Sequence, residues 1–576
     1  MMKNNFKSLA LIGLAAATTV ACNPLKDMTK RADEVSYTVN PNPLEMHADS
    51  IDVSITATIP PKFFNKKVSV EVTPTIKYGE DQAKAFKPFT LVGEDSEIAG
   101  QKINYEKGGN FSYNDRIAYE EGMDVAVLNA VAVGMYKGKT KEFPDEQLAT
   151  GTITTPSWAM DDDKVKLGDD KFTKVSPQEK TAVINYLVNS SVVRPSELND
   201  QDMKELISWV RAKSKDKMFN FKGVSVVAYA SPEGEISINE NLANERANSG
   251  ANTGKRYLNN NRVKDASKAE FYSKEGRGED WDGFKSAMQA SDIKDKDLIL
   301  RVLEMYEDKS KREEEIRNLS ETFEVIKEDI LPGLRRSIVT IKGEKVSFSD
   351  EKIQEFAKSN PDTLTQEELL YAATMTNDLD EKMSIYETYS KLHPKDWRGP
   401  NNVGYVYAQQ NNMEKAKASF DKANSIDPDN AVVLNNLGVY ERANGNDEKA
   451  MEYYEMASEA GPEVGNNIGY MQMRKGDYQA AAASYGGIKT FNAALAQTLN
   501  GNNEEALKTI DASPAADKAE GYYLKAVIGA RKGDQNMVVS NLKSAISKDS
   551  SLKEKAKRDA EFTEYKDNAE FQAAVN

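Results

Sequence analysis

Apolar residues alternate with polar ones early in the chain, whereas in its last third the same side chains return at a fixed, much longer interval. Ile51, Val53, Ile55 and Ala57 alternate with Asp52, Ser54 and Thr56, and Val68, Val70 and Val72 with Ser69 and Glu71. One apolar and one polar face is the pattern of half-buried strands. Turn formers at Asn40-Pro41 and Pro60-Pro61 break the runs, so residues 35–156 are expected to form an antiparallel β-sandwich. Residues 175–342 mix patterns: 182–193 and 224–230 read as strands, 200–213 and 239–258 as helices. A helical insertion is expected near 261–332, where Ile299, Val302, Leu303 and Tyr306 share a face. Further on, Pro394, Pro428 and Pro462 recur every 34 residues, as do Gly404 and Gly438, Ala416 and Ala450, and Phe420 and Tyr454. Such a period marks a solenoid of paired helices, each pair needing its neighbours to cover its apolar face.

The beginning of the chain changes the picture of where it works. Lys3 and Lys7, an apolar run over 9–17 and small residues before Cys22 follow the order of a signal peptide, expected over residues 1–21. Cys22 is the only cysteine of the 576 residues, so an internal disulfide is excluded. Thr19-Val20-Ala21-Cys22 resembles the lipobox of bacterial lipoproteins, which implies that Cys22 carries the acyl chains, with residues 22–34 as a tether at the lipid. No later segment approaches the ~20 apolar residues needed to cross a bilayer. Losing Lys3 and Lys7 with the leader moves the formal net charge from −15 to −17. That balance speaks against nucleic acid and against anionic lipid as partners of the chain as a whole.

In the middle region, Val188-Asn189-Ser190-Ser191, Ala228-Tyr229-Ala230-Ser231-Pro232-Glu233-Gly234, Asn239, Leu242-Ala243, Arg246-Ala247 and Leu334-Arg335-Arg336-Ser337-Ile338 resemble the OmpA-like, peptidoglycan-associated domain. The Ser-Pro-Glu-Gly loop and the helical insertion are similar to a variant branch of that family. The resemblance implies an α/β fold and a clamp for the diaminopimelate of the wall peptide, with Arg246 in the arginine position. Ser231 stands where the family has its loop aspartate, and Glu233, two residues on, is the replacement carboxylate, with Ser231 and Asn239 shaping the loop. The alternative is that only the fold is kept, with Arg246 in a structural ion pair and Asn239 capping a helix.

From residue 363 to 576 the chain resembles tetratricopeptide repeats, with clear units around Gly404, Gly438 and Gly469, weaker ones near 363–396, 491–513 and 518–550, and a helical cap. The expected fold is therefore multidomain: an all-β immunoglobulin-like sandwich, an α/β OmpA-like domain with a helical insertion, and an all-α solenoid. Polar stretches over 157–174 and 343–362 are expected as linkers. The first contains Asp161-Asp162-Asp163, which lacks the spacing of a calcium loop and reads as solvated.

Candidate chemistry is sparse. His47 and His393 are the only histidines, too few for a triad or a histidine metal cluster. No catalytic residue, metal or cofactor is expected. Asn401-Asn402, Asn435-Asn436 and Asn466-Asn467 precede the repeat glycine at one offset. Asn402, Asn436 and Asn467 would line the groove, where amides that both donate and accept can hold an extended partner segment; satisfying helix ends is the alternative. The expected protein is an outer-membrane lipoprotein on the periplasmic face, its sandwich near the lipid and its repeats reaching away. It would tether a protein assembly to peptidoglycan through its stem peptide. A subunit of an envelope secretion, assembly or fibre-anchoring complex without wall binding is the other reading, and exposure on the cell surface the other location.

Overall fold

The computed structural model describes residues 23–318 and 320–576; the leader and Cys22 lie outside them. Two compact units result, one joining the described residues up to Gly168 with Lys395–Asn576, the other being Asp169–Pro394. The second is thus an insertion in the first.

In the first unit, strand Ser50–Ile59 buries Ile51, Val53, Ile55, Ala57 and Ile59 and leaves the residues between them more exposed. It pairs antiparallel with Ser36–Asn40, Leu44–His47 and Gly109–Ala118. Ser69–Tyr78 and Val127–Tyr136 pair antiparallel at the middle of a second, seven-stranded sheet. Ala57, Ile59 and Phe111 of one sheet pack with Val70, Val72, Leu91 and Ala130 of the other. The arrangement is mixed and not wholly antiparallel, because Leu44–His47 meets Thr152–Ile153, and Phe89–Gly93 meets Gln101–Ile103, in parallel. The tether expected over 22–34 is corrected too. Helix Pro24–Lys30 is docked on the sandwich through Leu25 (1% exposed) and Met28 (2%).

The C-terminal region is a tetratricopeptide repeat array. Helix Arg398–Gln409 pairs with Met413–Ile426, Ala431–Ala443 with Asp447–Met456, Pro462–Arg474 with Tyr478–Tyr485, Phe491–Leu499 with Asn503–Asp511, and Ala519–Arg531 with Gln535–Lys548. Short helices Leu552–Arg558 and Ala569–Val575 cap the end. The glycine that recurs in these hairpins has a steric cause. A Cβ on Gly404, Gly438 or Gly469 would come within 2.5, 2.6 or 2.8 Å of the ring of Phe420, Tyr454 or Tyr485, which fills the gap between paired helices.

The repeats do not reach away from the sandwich; the two are packed together. His47 lies edge-on to Tyr478 at 5.1 Å, and the Tyr478 hydroxyl accepts from the Ala48 N–H at 3.1 Å. Arg531 pairs with Glu45 at 3.2 Å and Glu561 at 2.6 Å. Trp158 meets the Tyr523 ring and carries the Lys555 ammonium 3.9 Å from its centroid.

In the second unit, strands run in the order Val175–Asn185, Arg336–Val346, Phe219–Ala230, Tyr272–Glu279, the first three antiparallel and the last parallel to its neighbour. Helices Gln201–Lys213 and Ile236–Asn260 share its core through Met203, Leu206, Val210, Ala247 and Ala251. The first strand ends at Asn185, short of the expected 193, because residues 187–190 turn away to meet a buried arginine described below. The insertion is helical only from Trp281, since Tyr272–Glu279 supplies the fourth strand; Phe284, Met288, Ile299, Val302 and Leu303 give it a core of its own. The linker expected over 343–362 is instead the end of a strand and helix Asp350–Ser359. Helices Gln366–Thr374 and Leu379–Leu392 complete this unit.

Gly438→Ala is expected to destabilise the array by about 1–3 kcal/mol through overpacking against Tyr454, read as a lowered thermal midpoint. Gly487→Ala, where a Cβ meets nothing within 4 Å, is expected to change it by less than about 0.5 kcal/mol.

Candidate functional site

The groove of the repeat array is filled by the chain itself. Residues 160–168, expected as a solvated linker, run through it extended, antiparallel to the order of the repeats. The first helix of each of the first four hairpins presents an asparagine that binds one strap residue twice, the amide oxygen accepting its N–H and the amide nitrogen donating to its C=O. Asn402 holds Gly168 this way at 2.7 and 3.2 Å, and Asn436 holds Lys166 at 2.7 and 2.8 Å. Asn467 holds Lys164 at 2.8 and 3.0 Å, and Asn492 holds Met160 at 2.9 and 2.7 Å.

A second column braces the first. Asn401 and Asn435 donate to the carbonyls of Lys166 and Lys164 at 3.2 and 2.9 Å, and Asn466 to that of Asp162 at 3.2 Å. Asn436 donates to Asn401 at 2.9 Å and Asn467 to Asn435 at 3.0 Å, linking one repeat to the next. The strap advances two residues per repeat from Gly168 to Lys164, roughly 6.6 Å of extended chain each time. Between Asn467 and Asn492 it advances four, and Asp162 fills the space by accepting from Asn492 at 2.9 Å through its side chain.

Side chains of the strap add contacts that are specific to sequence. Arg442 pairs with Asp161 at 2.7 Å and with Asp163, and Lys166 pairs with Glu463 at 2.7 Å. Burial outweighs the neighbouring guanidinium and pushes the Asp163 carboxyl up to about 6. Val165 packs against both of the hairpins below it. A Cβ on Gly168 would lie 2.9 Å from Arg398 and 3.1 Å from Trp397, so only glycine lets Asn402 close on the backbone there. Asn402, Asn436 and Asn467 thus do hold an extended segment, and the segment is the protein's own.

The residues of the OmpA-like resemblance separate into two groups. Arg246 is 1% exposed, and its guanidinium donates to the carbonyls of Ser190 and Tyr229 at 3.0 Å and Leu187 at 3.2 Å, over the Tyr186 ring. Burial lowers it to about 10, so it remains a cation at neutral pH. Glu233 accepts from Arg335 at 2.8 Å and from the Ser231 hydroxyl at 2.7 Å. Asn239 donates to the Glu233 carbonyl at 3.1 Å and to Glu279 at 3.0 Å. Ser231, Glu233 and Asn239 therefore meet around Arg335, while Arg246 braces the 187–190 turn. Its partners are carbonyls, neither the wall peptide's carboxylate nor the structural ion pair weighed from sequence. Helix Lys309–Arg317 reaches this loop through Glu313, which accepts from the Gly234 N–H at 2.6 Å.

Asn492, Arg442, Trp397 and Gly168 were not legible as site residues. Asn492 stands alone, without the paired asparagines and repeat glycine of the other units. Among the described residues no cluster of three or more His, Cys, Asp or Glu is placed to hold a metal ion.

Residues 401–430 match the tetratricopeptide repeat family. A search of curated proteins finds no match. Solved structures similar to this chain include Pseudomonas aeruginosa pilF, at 14% identity over 39% of this chain and 97% of that one, with a TM-score of 0.28. A tetratricopeptide repeat protein from Parabacteroides merdae is 16% identical over 46% and 98%, with a TM-score of 0.26. YrrB, described as having an unusual peptide-binding site, is 19% identical over 35% and 94%, with a TM-score of 0.19. The repeat assignment rests on residues 401–430 and on the hairpins described above.

Asn436→Ala removes two bonds to Lys166 and one to Asn401, leaving the Lys166 N–H and the buried Asn401 amide oxygen without their partner, so it is expected to cost about 2–4 kcal/mol. The predicted readout is a lower unfolding midpoint together with new protease cleavage within 158–168.

Proposed function

We propose that the protein is a non-catalytic scaffold of the bacterial envelope, held in the outer membrane by lipid on Cys22 and facing the periplasm, that organises other proteins of a membrane-associated assembly. The observation that carries this reading is the repeat array packed on the sandwich with the strap in its groove, so that the groove amides are spent on the protein's own chain and partners are taken on the remaining surface. The immunoglobulin-like description of the sandwich and the OmpA-like description of the inserted unit belong to this reading. The mixed four-stranded sheet, with the Ser231–Gly234 loop leading into helix Ile236–Asn260, supports the latter.

Tethering to peptidoglycan is the second reading, favoured by that loop and its sequence. It stands second because both charges of the expected clamp are already engaged, Arg246 by three carbonyls and Glu233 by Arg335. Binding a wall peptide would require those contacts to be exchanged.

Two measurements on the full-length protein test the proposal. Crosslinking in intact cells followed by purification from membranes is expected to recover protein partners in fixed stoichiometry, and purified wall sacculi are expected not to retain the protein. Retention on sacculi that Glu233→Gln or Arg246→Lys abolishes would reinstate the wall. Recovery of the chain alone, without crosslinked partners, would remove the scaffold.

A further inference from the structure

The docked start of the described chain has a geometric consequence. Leu25 and Met28 are fixed in the sandwich core, and Cys22 stands three residues before Leu25, a reach of at most about 11 Å. On the lipid-anchor reading of Cys22, on which this inference rests, the acyl chains have no slack, and the sandwich surface around Asn23 lies against the bilayer.

That surface differs from the acidic whole. A recess of about 700 Å³ opens there, lined by Lys26, Lys30 and Lys62, with Phe63, Tyr105 and Tyr136. The three lysines are exposed, and Asp27 is the acid facing them. One further lysine overlies its aromatic rim, Lys137 at 5.4 Å from the Tyr136 ring centroid, while Lys66, at 5.8 Å from that of Tyr105, is already paired with Glu94 at 2.9 Å. Tyrosines with an apolar body and a polar tip, flanked by lysines, suit the headgroup region of a bilayer. Each lysine held near an anionic surface adds attraction that falls off within a Debye length.

We propose that this recess and its rim are a membrane-docking surface that seats anionic lipid headgroups, a second attachment beside the acyl chains. The acyl chains supply the hold on the membrane, and a basic patch next to them adds to it. It also fixes orientation, because a flexible leash would let the body rotate and a seated face does not.

The test uses the full-length chain with Cys22→Ser, which removes acylation, floated with vesicles of phosphatidylglycerol or of phosphatidylcholine alone. The protein is expected to float with the anionic vesicles in a manner that high salt abolishes. Lys26→Glu/Lys30→Glu/Lys62→Glu in the same background is expected to bind them roughly a hundredfold more weakly, with an unchanged circular dichroism spectrum. Since both proteins share the same N-terminus, the difference reads the patch. Equal binding by the two, or no binding by the Cys22→Ser chain, overturns the docking surface. The anchor is read separately, by incorporation of labelled palmitate into the natural chain with Cys22→Ser as the blank, so loss of one reading is distinguishable from loss of the other.

Discussion

A buried asparagine costs free energy unless its amide is paired, and this protein buries Asn401, Asn402, Asn435, Asn436, Asn466, Asn467 and Asn492 to 2% exposure or less along one groove, all but Asn466 with both ends of the amide hydrogen-bonded. Leaving such groups unpaired costs about 1–3 kcal/mol each. The strap shuts these amides off from water, and its main chain supplies the partners that water would otherwise give. The helices and the 160–168 segment are therefore matched group by group along the groove.

Much of the architecture follows from that dependence. The strap continues directly from the sandwich through Trp158, which packs on Tyr523, and the sandwich is held again by Arg531 and Tyr478. At the other end Gly168 is pressed against Trp397 and Arg398, so the chain leaves this unit beside the point where it returns at Lys395. An entire α/β unit is thereby inserted without opening the array. The groove reads main chain through its amides and sequence through Arg442 and Glu463, and its own strap meets both demands.

How much of this the sequence disclosed depends on the range of the interaction concerned. The alternation around Ile55 and the Gly438-to-Tyr454 spacing are local or periodic, and they announced the strands and the hairpins. The chemistry of Asn402, Asn436 and Asn467 was legible as well, because one offset before each repeat glycine places them on one face. Their ligand was not. Asp161-Asp162-Asp163 looks solvated by composition, and nothing near it in sequence reveals that Arg442, nearly 280 residues away, neutralises Asp163 within the groove. Arg246 misled for a related reason: its position fits a binding motif, but its partners are main-chain carbonyls, which leave no trace in side-chain identity.

Hydrogen exchange of the full-length protein measures the strap most directly. The ladder predicts that the amides of Met160, Lys164, Lys166 and Gly168, each donated to a buried asparagine, exchange as slowly as those of helices Arg398–Gln409 and Ala431–Ala443. Exchange of these four at the rate of an unstructured peptide, with the helices still protected, would contradict it.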